Sequence, residues 1–354
     1  MHLLVIGYVW PEPNSSAAGS RMMQLLHSFR NADWQVTFAS PAQQTEHMSN
    51  LDELNITSNH ITLNDSSFNH YIESLNPDVV MFDRFMMEEQ FGWRVEQSCP
   101  AALRVLNTED LHSLRDARHQ ALKKNTTFQI EDLYSDIGIR EIAAIHRCDL
   151  TLMISKFETK LLIDEFHVPE THVFHLPFML NTSSEYGVLP EFEERQHFIT
   201  IGNFRHAPNW DAVLHLKQDV WPRIRKKLPK AELHIYGAYP PPKATQLHNV
   251  KEGFLIKGWA KDAQEVMKNA KICLAPLRFG AGIKGKLVEA MQMGTPSITT
   301  AIGAEAMHGH LPWNGVITND MEEFANAAVS LYQDKTSWQL MQKNGFSILD
   351  TFYD

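Results

Sequence analysis

The densest group of residues able to do chemistry is Arg278-Phe279-Gly280-Ala281-Gly282-Ile283-Lys284-Gly285-Lys286-Leu287-Val288-Glu289-Ala290-Met291. It follows an apolar run at 272–277 and leads into a segment whose spacing predicts a helix over 286–293. Three glycines in six residues free the backbone to turn its N–H groups inward. The start of the helix adds partial positive charge, and Lys284 and Lys286 add full charges, so the stretch reads as an anion seat suited to a diphosphate. Glu289 lies three positions after Lys286, near the same face of the first turn, where a carboxylate can accept two hydroxyls, as from a ribose. The competing reading is a plain glycine-rich turn flanked by solvated lysines. A Walker loop is excluded by the absence of the glycine–lysine–hydroxyl order. Gly7 also stands too far from Gly19 for a dinucleotide fingerprint on the first strand.

A second group is Gly202-Asn203-Phe204-Arg205-His206-Ala207-Pro208-Asn209-Trp210-Asp211, directly after the apolar run 198–201. Ligands of open α/β sheets bind beyond the carboxyl ends of strands, which places Arg205 where it could clamp a phosphate oxygen. Arg205 could equally form a surface ion pair. Asp211 or Asn209 reads as the cap of the next helix.

The elements that must position these groups alternate. Apolar runs at 3–6, 34–39, 55–63, 79–82, 103–106, 150–154 and 172–176 read as strands, with helical segments between several of them. Residues 111–148 are polar and helix-permissive, and Ser155 reads as a helix cap. A polar stretch at 181–196, with Ser183, Ser184, Glu191, Glu193 and Glu194, reads as a linker. The alternation then resumes, with strands at 198–201, 232–236, 272–277 and 297–300, a strand pair within 250–256, and last helices at 321–332 and 337–344. The fold class is therefore α/β, as two Rossmann-like doubly wound domains at 1–185 and 195–354.

Size agrees, since 354 residues exceed the ~250–300 at which one core stops growing. With 44% hydrophobic and 21% charged residues, disorder and fibrous repeats are excluded. A net charge of −10 argues against a protein that coats nucleic acid. Three scattered cysteines fit neither a disulfide framework nor a zinc site, and they suit a reducing cytoplasm. No run reaches the ~18 apolar residues of a membrane span, and residues 1–10 read as a strand rather than a leader. The basic run Arg223, Arg225, Lys226, Lys227, Lys230 reads as a solvated helix end or as a contact for an anionic surface.

The two groups, continued by Gly294-Thr295-Pro296 and Ile302-Gly303-Ala304-Glu305, resemble the donor domain of GT-B fold nucleotide-sugar glycosyltransferases. The likeness is to the bacterial family 4, or group 1, retaining enzymes; it is strong over about the last 150 residues and looser before them. It implies two lobes facing across a cleft and sugar transfer from a UDP- or GDP-sugar co-substrate, with retention and without metal or other cofactor. Arg205 and Lys286 (or Lys284) would hold the donor diphosphate and Glu289 the ribose. Gly280, Ala281, Gly282 and Ile283 would face the transferred sugar. Tyr236 and Gly237, with Lys257-Gly258-Trp259-Ala260, would frame the nucleobase. Gly19 would meet the phosphates from the tip of the first loop, and Gly202 and Leu287 complete the implied donor contacts.

The looser match in the first half includes Asn107-Thr108-Glu109-Asp110-Leu111-His112-Ser113-Leu114-Arg115. There the resemblance gives His112 a hydrogen-bonding role at the transferred sugar, while Asp110 could serve as a helix cap. Asp83-Arg84-Phe85, directly after a strand, could line the acceptor side or simply pair on the surface. The family often has two glutamates with seven residues between them, and the earlier position is Ala281 here. Two other readings keep the fold: a nucleotide-sugar-binding protein without transfer, and a nucleotide-sugar epimerase. The acceptor is open among a glycan, a lipid-linked sugar, a protein and a small molecule. The expected location is the cytoplasm, with peripheral contact at the inner membrane face allowed. The family commonly carries a further C-terminal helix beyond the last one predicted here.

Overall fold

The computed structural model describes residues 1–180 and 188–354. It divides into two compact units, Met1–Pro13 with Ala18–Phe178, and Asn14–Ala17 with Met179–Asp354. The first half of the expected linker, and with it the boundary at 185, lies outside the described residues. The second half is not a solvated tether. Arg195 is buried, donating from Nη1 to Thr295 Oγ1 (2.7 Å) and from Nη2 to the Met293 carbonyl (2.8 Å), with its guanidinium 5.0 Å from the Trp338 ring centroid. These acceptors satisfy the buried charge, so Arg195, with the buried Phe192, anchors an otherwise mostly exposed segment to the core of the second unit.

The first unit has strands β1 (His2–Ile6), β2 (Gln35–Ser40), β3 (Thr57–His60), β4 (Val79–Asp83), β5 (Leu103–Asn107), β6 (Leu150–Met153) and β7 (Val173–His175). They form one parallel sheet in the order β3-β2-β1-β4-β5-β6-β7. Its helices are α1 (Ala17–Asn31), α2 (Ser67–Leu75), α3 (Phe85–Ser98), α4 (His112–Lys123), α5 (Asp136–Arg147) and α6 (Lys156–Asp164). Leu3, Leu4, Val5 and Ile6 are wholly buried, as expected for a strand covered on both faces. The helix-permissive segment 111–148 holds two helices, α4 and α5, with a short 3-10 turn at Ile130–Leu133 between them. Ser155 caps α6 through the Glu158 N–H.

The second unit has strands β8 (Phe198–Ile201), β9 (Leu233–Tyr236), β10 (Phe254–Gly258), β11 (Ile272–Ala275), β12 (Ser297–Thr299) and β13 (Gly315–Ile317), parallel in the order β10-β9-β8-β11-β12-β13. Its helices are α7 (Ala207–His215), α8 (Trp221–Lys227), α9 (Pro242–Thr245), α10 (Ala263–Lys268), α11 (Gly285–Gln292), α12 (Ala301–Ala304), α13 (Met321–Gln333) and α14 (Lys335–Phe352). A π-helical turn at Leu216–Val220 joins α7 to α8. Residues 250–256 hold no strand pair; an isolated antiparallel bridge joins Asn249 to Phe254, the first residue of the parallel strand β10. The core gathers Phe198, Trp221, Phe254, Phe324 and Trp338, each worth about 1.5–3 kcal/mol when buried.

Both sheets are doubly wound. Strand order reverses between β1 and β4 in the first and between β8 and β11 in the second. Such reversal points open a crevice at the carboxyl edge, and the loops after β8 and β11 are the two groups singled out above.

Candidate functional site

Adjacency of β8 and β11 brings together two stretches separated by about 70 residues. Lys286 Nζ donates to Asn209 Oδ1 at 2.8 Å, and Asn209 Nδ2 donates to the Asn203 carbonyl at 3.0 Å. Arg278 pairs with Asp211 through both carboxylate oxygens, with Nε–Oδ2 at 2.9 Å. Asn209 and Asp211 therefore lie inside α7 as bridges to the β11 loop rather than as its cap, because the helix starts earlier than the sequence suggested, after His206.

Close backbone approach shapes this edge. A Cβ on Gly237 would stand 2.0 Å from the Gly202 carbonyl oxygen, and one on Gly202 would collide with the Asn209 amide at 2.6 Å. The Gly202 N–H donates to the Tyr236 carbonyl (3.1 Å) and the Gly237 N–H to the Gly258 carbonyl (2.8 Å), so the ends of β8, β9 and β10 are tied. Trp259, next along, is 39% exposed.

In the β11 loop, Gly282 has φ +66° and Gly280 +153°, which explains two of the three glycines. Gly285 instead opens α11, one residue before the predicted start. Lys284 precedes it, buried, with Nζ donating to the Gly282 carbonyl at 2.7 Å, so its side chain does not cap the helix. Ala281 and Ile283 are partly buried. Leu287 contributes its side chain to the core and its N–H to the Lys284 carbonyl (2.8 Å), so neither is turned toward the loop's open side.

Leu287, Val288, Ala290 and Met291 are the buried face of α11, which leaves Lys286 and Glu289 together on the other. Burial lowers Lys286 to about 8, opposed by Cys273 and Glu289. Burial likewise raises Glu289 to about 7, opposed by Lys286 and reinforced by Asp262. Each charge is thus held partly by the other. Arg205 is exposed, and its guanidinium carbon lies 3.6 Å from the Tyr239 ring centroid, a stacking partner that the sequence did not reveal. The basic run that follows is partly committed to the fold, since Arg225 donates to the Ala231 and Lys251 carbonyls at 2.8 and 2.9 Å.

In the first unit, His112 is the first residue of α4, edge-on to Phe85 with ring centroids 5.5 Å apart. Asp110 does not cap the helix: it pairs with Arg115 and lies 3.7 Å from His112 Nε2. Two buried carboxylates from other helices cap instead. Glu141 accepts from the N–H groups of His112 (2.9 Å) and Ser113 (3.0 Å) and from Ser113 Oγ (2.6 Å); Glu158 accepts from the Leu111 N–H (3.1 Å). Burial pushes Glu141 up to about 7, against these three hydrogen bonds. Glu141→Ala leaves two buried N–H groups without acceptors and should lower unfolding free energy by roughly 2 kcal/mol. A urea titration followed by circular dichroism reads this, and an unchanged midpoint would refute it.

Gly19 is not at a loop tip. It lies in the first turns of α1, buried, where a Cβ would stand 2.3 Å from the Glu12 carbonyl oxygen, so its role in the fold is to let residue 12 pack on the helix. Asp83 is likewise buried, within 3.4 Å of Asn107 Nδ2, which also donates to Glu109 (2.8 Å). Arg84 adopts φ +72° and lies over Tyr8. Among the described residues no group of three or more His, Cys, Asp or Glu side chains could hold a metal ion. No helix among them is long and apolar enough to cross a membrane.

Residues 195–334 match the family model described as glycosyl transferases group 1. No curated protein matches the chain. Solved structures of similar fold include S. aureus TarM, as a point mutant in complex with fondaparinux, alpha-GlcNAc-glycerol and UDP (TM-score 0.74, 10% identity, covering 100% of this chain and 97% of that one). Anabaena HepE, crystallised with UDP and glucose, gives 0.73 at 11% identity, covering 99% and 95%. Sucrose-phosphate synthase from Thermosynechococcus elongatus gives 0.71 at 15% identity, covering 100% and 95%. In its second unit this chain matches the group 1 glycosyl transferases, and over its whole length it has the two-domain GT-B fold that such enzymes share.

Proposed function

We propose that the protein transfers a sugar from a nucleoside-diphosphate sugar to a hydroxyl-bearing acceptor, with retention and without a metal ion. The observation carrying this reading is that Lys286, beside Glu289 on α11, is joined through Asn209 to the loop after β8 at the point where the second sheet reverses, inside the stretch that matches the family. UDP is present in the TarM and HepE structures, which supports a uridine nucleotide as the donor's base.

In this reading Lys286, Arg205 and the start of α11 take the diphosphate, whose negative charge grows as the glycosidic bond breaks. Groups fixed beforehand stabilise that charge more than they stabilise the bound donor. Glu289 accepts the ribose hydroxyls. Tyr236, Gly237 and Trp259 border the base, and the backbone of Gly280–Ile283 borders the sugar. The acceptor oxygen bonds to the anomeric carbon on the face the leaving group vacates, and its proton passes to the departing phosphate oxygen. His112 donates or accepts a hydrogen bond at the sugar.

Thermal melting with a panel of nucleoside diphosphates and their sugars tests this, because a ligand at 100 times its Kd stabilises by about 2.7 kcal/mol. The expected result is a raised midpoint with UDP or GDP and slow hydrolysis of one matching nucleotide sugar. A panel without any shift overturns the reading. A shift without hydrolysis or transfer to any offered acceptor favours a binding protein, and sugar isomerisation without acceptor favours an epimerase.

A further inference from the structure

We propose that Asn209 is a positioning residue for Lys286, holding its ammonium at the diphosphate site through the 2.8 Å hydrogen bond to Oδ1 while its own amide is anchored to the Asn203 carbonyl. The inference rests on the reading of Lys286 as a diphosphate ligand. A lysine side chain has four rotatable carbons and loses much rotamer freedom when fixed. Asn209 removes that freedom before any ligand arrives, so its contribution is preorganisation.

The geometry is specific on both sides. Asn209 is clasped between Asn203 and Lys286, and the lack of a side chain at Gly202 makes the room, since a Cβ there would stand 2.6 Å from Nδ2. The amide therefore cannot rotate away without losing the Asn203 carbonyl. Its neighbour Trp210 faces Lys243, whose Nζ is 4.7 Å from the indole ring, and Asp211 is spent on Arg278. Asn209 is the member of this turn aimed at Lys286. Other groups bearing on the ammonium are Cys273 from β11 and Glu289 from α11, with Asp262 at the start of α10 acting on Glu289. The amide oxygen accepts from the charged ammonium and so favours the charged form.

The test is the Kd of UDP measured by calorimetry from pH 6 to 9.5 for the wild type, Asn209→Ala, Asn209→Asp and Lys286→Ala. Asn209→Ala is expected to weaken UDP about tenfold at pH 7.5, the scale of one hydrogen bond to a charged group. It should also move the alkaline loss of affinity to lower pH, because the ammonium loses its acceptor. Asn209→Asp loses the anchor to the Asn203 carbonyl but keeps an acceptor for Lys286 and adds a negative charge, which should move that loss to higher pH. A merely structural role would weaken binding uniformly. The inference is overturned if Lys286→Ala weakens UDP while both Asn209 variants keep the wild-type pH profile. If Lys286→Ala binds UDP as the wild type does, or the wild type does not bind it, the reading of the site fails and takes the inference with it.

Discussion

Lys286→Ala should lower kcat/KM for sugar transfer about 100-fold or more, the scale of removing one preorganised group from developing charge. The ammonium is already in place, fixed by Asn209 at 2.8 Å on the face of α11 that also carries Glu289. It needs no reorganisation when the bond breaks, and burial makes its field stronger than a surface charge would have. The loss should fall on kcat as well as on KM, because the charge it meets is larger in the transition state than in the donor. Arg205→Ala should act in the same direction. Its stacking on Tyr239 holds the guanidinium in place, and a stacked guanidinium can still donate from its edge to a phosphate. Steady-state kinetics with the matching donor check both. Changes under threefold for the two variants would refute the assignment.

The part of this site legible in the sequence is the part made by neighbours in the chain. Lys286 and Glu289 share a helix face because they are three residues apart and the residues around them are apolar. The two parallel sheets were legible for the same reason: short buried runs such as 3–6 and 198–201 recur with helical segments between them. Contacts across the sheet were not legible. Asn209 reaches Lys286 over 77 residues, and nothing in Pro-Asn-Trp-Asp distinguishes that role from a helix cap. Glu141, 29 residues from His112, caps α4 from another helix in the same hidden way. Gly19 was misplaced because a run rich in Pro, Ser, Ala and Gly looks like loop throughout, whereas α1 already begins at Ala17. Helix α3 gives a weak sequence signal because its buried set mixes Phe85, Met87, Phe91 and Val95 with Glu88, whose charge is met by Arg147 from α5 (Nε–Oε1 2.8 Å).

Donor use should be greatest between about pH 7 and 8 and fall on both sides. Glu289 sits near 7, raised by burial, so below that value it is protonated and loses its strength as an acceptor for two hydroxyls. Lys286 sits near 8, lowered by burial, so above that value it is neutral and no longer stabilises the diphosphate. In kcat/KM these are properties of the free enzyme, and because each group bears on the other they appear as two macroscopic values of the pair. Glu289→Gln separates them. It removes the acid limb and, by deleting a charge that supports the ammonium, shifts the alkaline limb below 8. At pH 7.5 it should also raise KM for the donor about 10- to 100-fold, the scale of charged hydrogen bonds exchanged for neutral ones, with a smaller change in kcat. A Glu289→Gln profile with both limbs where the wild type has them would show that the two groups do not act on the donor together.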